Sequence, residues 1–458
     1  MDKTSNIRSV YFLGIGGIGM SALARYYHAL GYLVAGYDKT PSPLLEELQA
    51  LGIEVIFDDS LKAIPISIAS KELEEVLWVY TPAIPKNHSQ LVALKKKGAK
   101  FLKRAEVLGH ITQGNTTLAV AGTHGKTTTS TLLTYLLRVG GVDCTAFLGG
   151  ISTNYGVNYI EAKNVESSLV VVEADEFDRS FLHLQPNKAI ITSTDADHLD
   201  IYGGADAFRA GFEAFAKLLP SDGMLVQKEG LNLASMARNY SYSVEGHGEY
   251  RAENIRIEHG TYVFDLITND TRIHDLILGL PGRHNMENAV AASAIALSMG
   301  VNRDDLAKGL ATFKGVKRRF EYIIKSEGQV YLDDYAHHPA ELKACISSVK
   351  ELYPKEKVCG IFQPHLYSRT RDFMDEFAAS LSLLDVCIVM PIYPAREEPI
   401  EGINSEALLA KIKSKVKLVL GPDEALDYVK EQRPKLLLSL GAGDIDRLVP
   451  KIKEVLKA

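Results

Sequence analysis

Thr117-Leu118-Ala119-Val120-Ala121-Gly122-Thr123-His124-Gly125-Lys126-Thr127-Thr128 runs from an apolar stretch through a glycine loop to a Lys-Thr pair, and a helical pattern from Thr129 to Leu137 follows. Strand, glycine loop, lysine and helix in that order make a phosphate cradle. Backbone N–H groups hold β- and γ-oxygens, Lys126 adds charge, and Thr127 can ligate magnesium. Val120 stands where the usual GxxxxGK[ST] signature has its first glycine, so the loop is a variant of it. Gly122, Thr123, His124, Gly125, Lys126, Thr127 and Thr128 are the candidate ATP-phosphate residues.

Working outward, the apolar run Ser168 to Glu173 ends in an acid, where a magnesium-holding carboxylate is expected beside such a loop. Asp175, Glu176 and Asp178 follow it. A dense acidic cluster is often only a solvated loop, but one that ends a buried strand favours function. A second cluster, Asp195-Ala196-Asp197-His198-Leu199-Asp200, follows the strand-like run Lys188 to Thr192. His198 is either a second metal ligand or a neighbour of a helix cap, and spacing leaves both open.

On the N-terminal side, Gly14-Ile15-Gly16-Gly17-Ile18-Gly19 follows the run Val10 to Leu13 and opens a helix, with Asp38 ending the next strand. This is the dinucleotide fingerprint in its proper context. Glycines let backbone approach a diphosphate whose charge the helix N-terminus stabilises, so the ligand class is a diphosphate and not specifically NAD. Lys3, Arg8 and the uncharged stretch from Val10 to Ala24 loosely imitate a signal peptide. Four glycines interrupt that stretch, and the helical pattern beyond it stops at Gly31, as a folded βα unit does.

Short β-rich runs alternate with helical stretches along the whole chain, predicting an α/β protein of three domains. Residues 1–108 read as a Rossmann-like domain and 109–316 as a central P-loop ATPase-type domain. Residues 317–458 read as a second Rossmann-like domain. Residues 240–280 alternate polar and apolar and predict a small antiparallel insert in the central domain. The length of 458 residues suits three cores. A net charge of −6 offers no basic surface for nucleic acid. No other stretch approaches a membrane span, and the four cysteines, widely spaced, suit a reducing cytoplasm.

Four later constellations are weaker individually. Gly282-Arg283-His284-Asn285-Met286-Glu287-Asn288 opens a helix with amides that could read a base or simply cap it. Arg318-Arg319-Phe320-Glu321 could bring a cation onto a transferring phosphate or form surface ion pairs. Asp333-Asp334-Tyr335-Ala336-His337-His338 has metal-site composition without a completed shell. Gln363-Pro364-His365-Leu366-Tyr367-Ser368-Arg369-Thr370-Arg371 follows an apolar strand, where its arginines either bind a carboxylate ligand with a guanidinium fork or simply belong to a solvent-facing helix start.

In this order, GIGGIGMSALA, AGTHGKTTT, VVEADEFDRSF, DADHLDIYGG, LPGRHNMENA, KGVKRRFE, DDYAHHP, FQPHLYSRTRD and LGAGDI resemble the Mur ligase family, and within it the alanine-adding branch. The resemblance covers nearly the whole chain. It implies a cytoplasmic, ATP- and Mg2+-dependent ligase of peptidoglycan precursor synthesis joining L-alanine to UDP-N-acetylmuramate. It gives Lys126 and Thr127 to the ATP phosphates and magnesium, with Glu173 and His198 as further magnesium ligands. Asn285 and Asn288 would lie near adenine, Arg319 near the phosphates and Asp334 near the ribose. Tyr335, His365 and Arg369 would surround alanine. Gly14, Gly16, Gly17, Gly19 and Asp38 would hold the UDP substrate, with no nicotinamide involved. Monomer and dimer both remain open.

Two residues depart from the family pattern. Several members carry a carbamylated lysine about one helix after the metal-binding histidine, and Phe212-Glu213 occupies that region here, as in the alanine-adding branch. Many alanine-adding members have arginine after the QPH histidine, where this chain has Leu366. The competing readings are a recycling ligase that attaches L-alanyl-γ-D-glutamyl-diaminopimelate to the same sugar, a silent nucleotide-binding regulator, and a fused dehydrogenase.

Overall fold

A computed structural model describes residues 7–164, 168–195, 202–395 and 397–457. The chain divides into two compact units: Met1–Arg251 with Ile267–Thr271 and Asn288–Gly309, and Ala252–Leu266 with Arg272–Glu287 and Leu310–Ala458.

The first unit opens with five short strands, β1 (Ser9–Leu13), β2 (Leu33–Tyr37), β3 (Glu54–Ile56), β4 (Val76–Tyr80) and β5 (Phe101–Lys103). They form a parallel sheet ordered β3-β2-β1-β4-β5. The strand order reverses between β1 and β4, and at such a switch point the carboxyl ends of the strands part into a crevice. Gly14, directly after β1, sits there at φ +88, where an added Cβ would lie 2.6 Å from Thr81 Cγ2 after β4. Only glycine meets both demands.

The same unit then contributes β6 (Thr116–Ala121), β7 (Thr145–Phe147), β8 (Tyr159–Ile160), β9 (Leu169–Glu173), β10 (Lys188–Ile191), β11 (Met224–Lys228) and β12 (Arg238–Val244). Their order is β12-β11-β10-β6-β9-β7-β8, parallel except for β8. Strand β6, which feeds the phosphate-cradle loop, is therefore flanked by the two strands that lead into the acidic clusters. Burial on both faces explains the near-continuous apolar runs Leu118–Ala121 and Leu169–Val172. One apolar core serves both sheets, from Val10, Phe12 and Ile15 through Val107, Leu108 and Ile111 to Val172, Phe208 and Phe215. The expected boundary near residue 109 lies inside helix Arg104–Thr112, where a Cβ on Gly109 would come within 2.5 Å of the His183 carbonyl. Phe212, in the region where several family members carry a lysine, is fully buried between the rings of Phe181 and Phe208.

The second unit holds β15 (Arg272–Leu278) and all but the end residues of β13 (Tyr250–Glu258) and β14 (Thr261–Ile267), in the order β15-β14-β13. Their short connections permit only antiparallel pairing, as the alternation over 240–280 predicts. A further sheet comprises β16 (Glu321–Lys325), β17 (Val330–Asp334), β18 (Val358–Phe362), β19 (Val386–Val389), β20 (Val416–Val419) and β21 (Leu436–Leu440), ordered β16-β17-β21-β18-β19-β20. The apolar runs Gln329 to Leu332, Val358 to Phe362, Val386 to Met390 and Leu436 to Leu440 mark four of these strands in the sequence, and β16 and β20 are missed. Both missed strands lie at sheet edges, half open to solvent, where the apolar signal is diluted; β16 also runs antiparallel to β17.

Candidate functional site

Strand β6, the glycine loop and a helix follow one another as the sequence predicts. Helix Lys126–Val139 starts directly behind Gly125, which adopts φ +79, and Gly122 adopts φ +134. A Cβ at Gly122 would fall 2.0 Å from Thr192 Oγ1, and one at Gly125 2.6 Å from Asn288 Oδ1. Asn288 thus stands against the loop. The helix buries Thr127 through Thr131 and Thr134; three of these hydroxyls turn back onto its own carbonyls, Ser130 Oγ to Thr127 O at 3.2 Å, Thr131 Oγ1 to Thr127 O at 2.7 Å and Thr134 Oγ1 to Ser130 O at 2.8 Å, while Thr129 Oγ1 is buried without a partner. The Thr123 hydroxyl donates to the Asp195 carbonyl at 2.7 Å, and the His124 N–H to Ser193 Oγ at 3.0 Å. The loop is in this way fastened to the segment leading toward His198, which itself lies outside the described residues, as do Asp197 and Asp200.

Lys126 folds back into this loop. Its ammonium donates to the Gly122 carbonyl at 2.6 Å, the Thr123 carbonyl at 3.3 Å and Glu176 Oε1 at 2.8 Å. All three N–H donors are engaged. Burial works against its charge, but Glu176 and Glu173 outweigh burial and hold Lys126 above the ordinary lysine range. Burial in turn pushes the Glu176 carboxyl up to about 7 against the pull of Lys126, and its second oxygen, Oε2, is buried without a partner. In the sequence Glu176 is one member of the acidic cluster, with no role of its own. Nothing in spacing alone distinguishes it from Asp175 or Asp178.

Glu173 ends β9 opposite Val120 of β6 and accepts the Gly149 N–H at 3.1 Å. A Cβ on Gly149 would overlap that carboxylate at 2.1 Å, so the close approach requires glycine there. Thr127 and Glu173 offer the hard oxygen donors that magnesium takes, which fits a magnesium site at this end of the sheet. No cluster of three or more His, Cys, Asp or Glu side chains suited to a metal occurs among the described residues, including the Asp333–His338 run.

At the N-terminal loop, the Gly16 N–H donates to Asp38 Oδ2 at 2.8 Å, and Asp38 Oδ1 accepts the Lys39 N–H at 2.8 Å. Asp38 therefore shapes the glycine loop from the end of β2. Gly17, Gly19, Thr81, Arg104, Phe147, Gly149, Glu173 and Asp175 line one cleft that reaches from this loop to the acidic end of β9.

In the second unit, Asp334 ends β17 and accepts the N–H groups of Phe320 at 2.7 Å and Ala336 at 2.8 Å. Burial pushes its carboxyl up to about 7, opposed by Arg319 and by those two N–H groups. The guanidinium groups of Arg318 and Arg319 lie 5.1 and 5.0 Å from the Tyr335 ring centre. Arg318 is otherwise structural, donating to Asp333 at 3.3 Å and to the Gly441 carbonyl at 2.6 Å. The His337 ring meets that of Tyr335 at 5.2 Å and that of His365 at 6.2 Å, and His365 stacks on Tyr393 at 5.7 Å. Burial holds His337 down to about 4, and burial with the nearby Arg369 lowers His365. Tyr335, His365 and Arg369 are thus brought together, with His337 among them, and His365 Nδ1 is buried without a partner. Leu366 takes φ +72, a strained value for a branched side chain, while its N–H donates to the Tyr393 carbonyl at 2.9 Å. Asn285 spends its side-chain amide on the Pro281 carbonyl at 2.8 Å, a helix-start contact.

Fold and loops define an α/β nucleotide-phosphate-binding protein in which a Rossmann-like sheet precedes a P-loop sheet. Three family models match consecutive segments: the Mur ligase family catalytic domain over residues 9–116, the Mur ligase middle domain over 120–296, and the Mur ligase glutamate ligase domain over 318–443. The UDP-N-acetylmuramate–L-alanine ligase of Parabacteroides distasonis is 51% identical over 456 residues, covering 99% of this chain and 98% of the relative. That of Christiangramia forsetii is 48% identical over 456 residues, covering 100% and 99%. The crystal structure of the UDP-N-acetylmuramate-alanine ligase of Thermotoga maritima superposes with a TM-score of 0.82 at 26% identity, covering 98% of this chain and 99% of that one. A murein peptide ligase from Psychrobacter arcticus shares the fold at a TM-score of 0.69 and 23% identity, covering 98% of each chain. The chain belongs to the Mur ligase family.

Proposed function

We propose that the protein is an ATP-dependent ligase that joins the amine of L-alanine to the lactyl carboxylate of UDP-N-acetylmuramate in peptidoglycan precursor synthesis. The observation that carries this reading is the intact cradle, with Lys126 at the head of its helix and Glu173 at the end of the neighbouring parallel strand. A silent regulator has no need of both. Relatives near half identity over the full length carry the alanine-ligase name, which favours alanine over a tripeptide acceptor.

A carboxylate resists attack by an amine because oxide is a poor leaving group. In the proposed course a lactyl oxygen attacks the γ-phosphorus of ATP and ADP leaves, giving an acyl phosphate. The neutral amine then attacks the acyl carbon, and inorganic phosphate departs as the amide forms. Lys126 and Arg319 stabilise the charge that develops on the transferring phosphoryl group. Thr127, Glu173 and His198 would hold magnesium, which supplies charge neutralisation at the phosphate oxygens when bound. Asn288, against Gly125, and Asn285 would lie near adenine, with Asp334 near the ribose. Arg369 would take the alanine carboxylate, with Tyr335 and His365 beside it. Gly14, Gly16, Gly17, Gly19 and Asp38 would hold the UDP moiety.

The test is phosphate release with ATP, magnesium and UDP-N-acetylmuramate, comparing L-alanine, L-alanyl-γ-D-glutamyl-diaminopimelate and no acceptor. Release that requires both the sugar nucleotide and L-alanine, with ADP as co-product, is expected. Preference for the tripeptide would reassign the chain to recycling, and AMP as product would replace the acyl phosphate with an adenylate.

A further inference from the structure

The cleft between the N-terminal glycine loop and the end of β9 poses an electrostatic problem. Two of its walls are the carboxylates Glu173 and Asp175, yet the ligand proposed for it carries a diphosphate. Among the described residues that line it, Arg104 is the sole cation. Its position is specific. Arg104 follows β5 directly and begins helix Arg104–Thr112, and its Nη2 donates to Asp175 Oδ2 at 3.0 Å. The rest of the guanidinium turns to the glycine loop, where a Cβ built on Gly19 would lie 2.9 Å from Nη1. Gly19 is in the first turn of helix Ile18–Ala29, so one nitrogen of Arg104 is anchored on an acid while another lies at the helix end where a diphosphate gains most from the backbone dipole.

We propose that Arg104 is a diphosphate-binding residue for the sugar nucleotide, aimed by Asp175 and acting together with the glycine loop. The inference rests on the reading of that loop as the UDP site. A fixed, planar guanidinium beside backbone N–H donors is the arrangement that grips two phosphate oxygens at once. Arg104 also offsets the repulsion that Glu173 and Asp175 would otherwise exert on an incoming diphosphate.

A purely structural alternative exists on the same loop and supplies the control. Lys103, the preceding residue, pairs with Asp178 at 2.9 Å, so two successive cations tie the end of β5 to the acidic loop, but Lys103 does not line the cleft. If Arg104 is merely the second tie, Lys103→Ala and Arg104→Ala behave alike.

The experiment is calorimetric titration of the full chain and its variants with UDP and with uridine, alongside KM values for UDP-N-acetylmuramate and ATP. Arg104→Ala is expected to weaken UDP and raise KM for the sugar nucleotide by roughly 10- to 100-fold. Uridine binding and KM for ATP stay within about twofold, Arg104→Lys recovers part of the loss, and Lys103→Ala resembles wild type. Equal losses in Lys103→Ala and Arg104→Ala, or UDP binding untouched by Arg104→Ala, would overturn the proposal. Gly17→Ala separates that failure from a misreading of the loop, because its added methyl meets nothing closer than 3.6 Å in the fold but faces the cleft. Loss of UDP binding in Gly17→Ala but not in Arg104→Ala removes only the role of Arg104; no loss in either removes the UDP site as well.

Discussion

The two glycine loops of the first unit solve the same problem with opposite internal states. The loop at Gly14–Gly19 is held by groups outside itself: Asp38 from β2 takes the Gly16 N–H, Thr81 from β4 backs Gly14, and Arg104 stands beside Gly19. It opens onto a cleft. The loop at Gly122–Thr128 closes on its own cation, with the Lys126 ammonium shared between two loop carbonyls and a buried carboxylate. A diphosphate entering the first displaces few protein contacts. A triphosphate entering the second must exchange Lys126 contacts for phosphate contacts, leaving Glu176 to accommodate the loss in a buried place. On the proposed function the first loop would be a preformed binding surface, and the second would have to release its cation from Glu176 and the loop carbonyls to its ligand.

Three tests bear on that contrast and a fourth on the second unit, beginning with the largest effect. Lys126→Ala should lower turnover by about a thousandfold or more, since the cation serves the developing phosphoryl charge. Circular dichroism should stay unchanged. Turnover within tenfold of wild type would mean that another group supplies this charge.

Alanine scanning of the glycines should divide the loops cleanly. Gly122→Ala places a methyl 2.0 Å from Thr192 Oγ1 at φ +134 and should cost about 2–4 kcal/mol of stability, read from urea midpoints. Gly17→Ala, with φ −64 and space around it, should cost less than about 0.5 kcal/mol. Equal losses would show that the two loops are not differently constrained.

Glu176→Gln should tighten binding of a non-hydrolysable ATP analogue by about three- to tenfold while leaving kcat no higher, because it removes the charged competitor for Lys126. Weaker binding would instead make Glu176 a support that the bound state keeps.

The smallest effect is one of pH. Burial raises Asp334 from 3.8 to about 7 in the fold, so the native chain keeps a proton that the unfolded chain has lost over that interval. Stability from this group is therefore full below about 4 and declines as pH rises toward 7. His284 and His337, held by burial down to about 4, act in the opposite sense, and their share is lost as pH falls below 6.5. Their contribution cancels when Asp334→Asn is compared with wild type. Between pH 5 and 8 wild type should lose about 2–3 kcal/mol relative to the variant in urea unfolding. Parallel curves would contradict the burial of an ionising carboxyl.

Much of this architecture is legible in the sequence because parallel strands buried on both faces announce themselves as apolar runs, and because φ-positive glycines are punctuation. Leu118–Ala121 is a buried strand and Gly122 and Gly125 turn the chain at positive φ, as a strand followed by a glycine loop requires, and Tyr335, His365 and Arg369 do meet in space. Long-range partnership is not legible. Arg104 lies 71 positions from Asp175 and Glu176 lies 50 from Lys126, and no local pattern records which of several acids reaches which cation. Edge strands β16 and β20 are lost because none of their residues is fully buried. The core shared by the first two sheets is hidden for a related reason: the apolar face of helix Arg104–Thr112 looks the same whether it covers one sheet or two.

The most direct test of the account is to titrate one preparation with UDP and with a non-hydrolysable ATP analogue, separately and together. Independent loops predict that each ligand saturates in the presence of the other and that Lys126→Ala abolishes only the analogue. Displacement of one ligand by the other, or loss of both in Lys126→Ala, would contradict it.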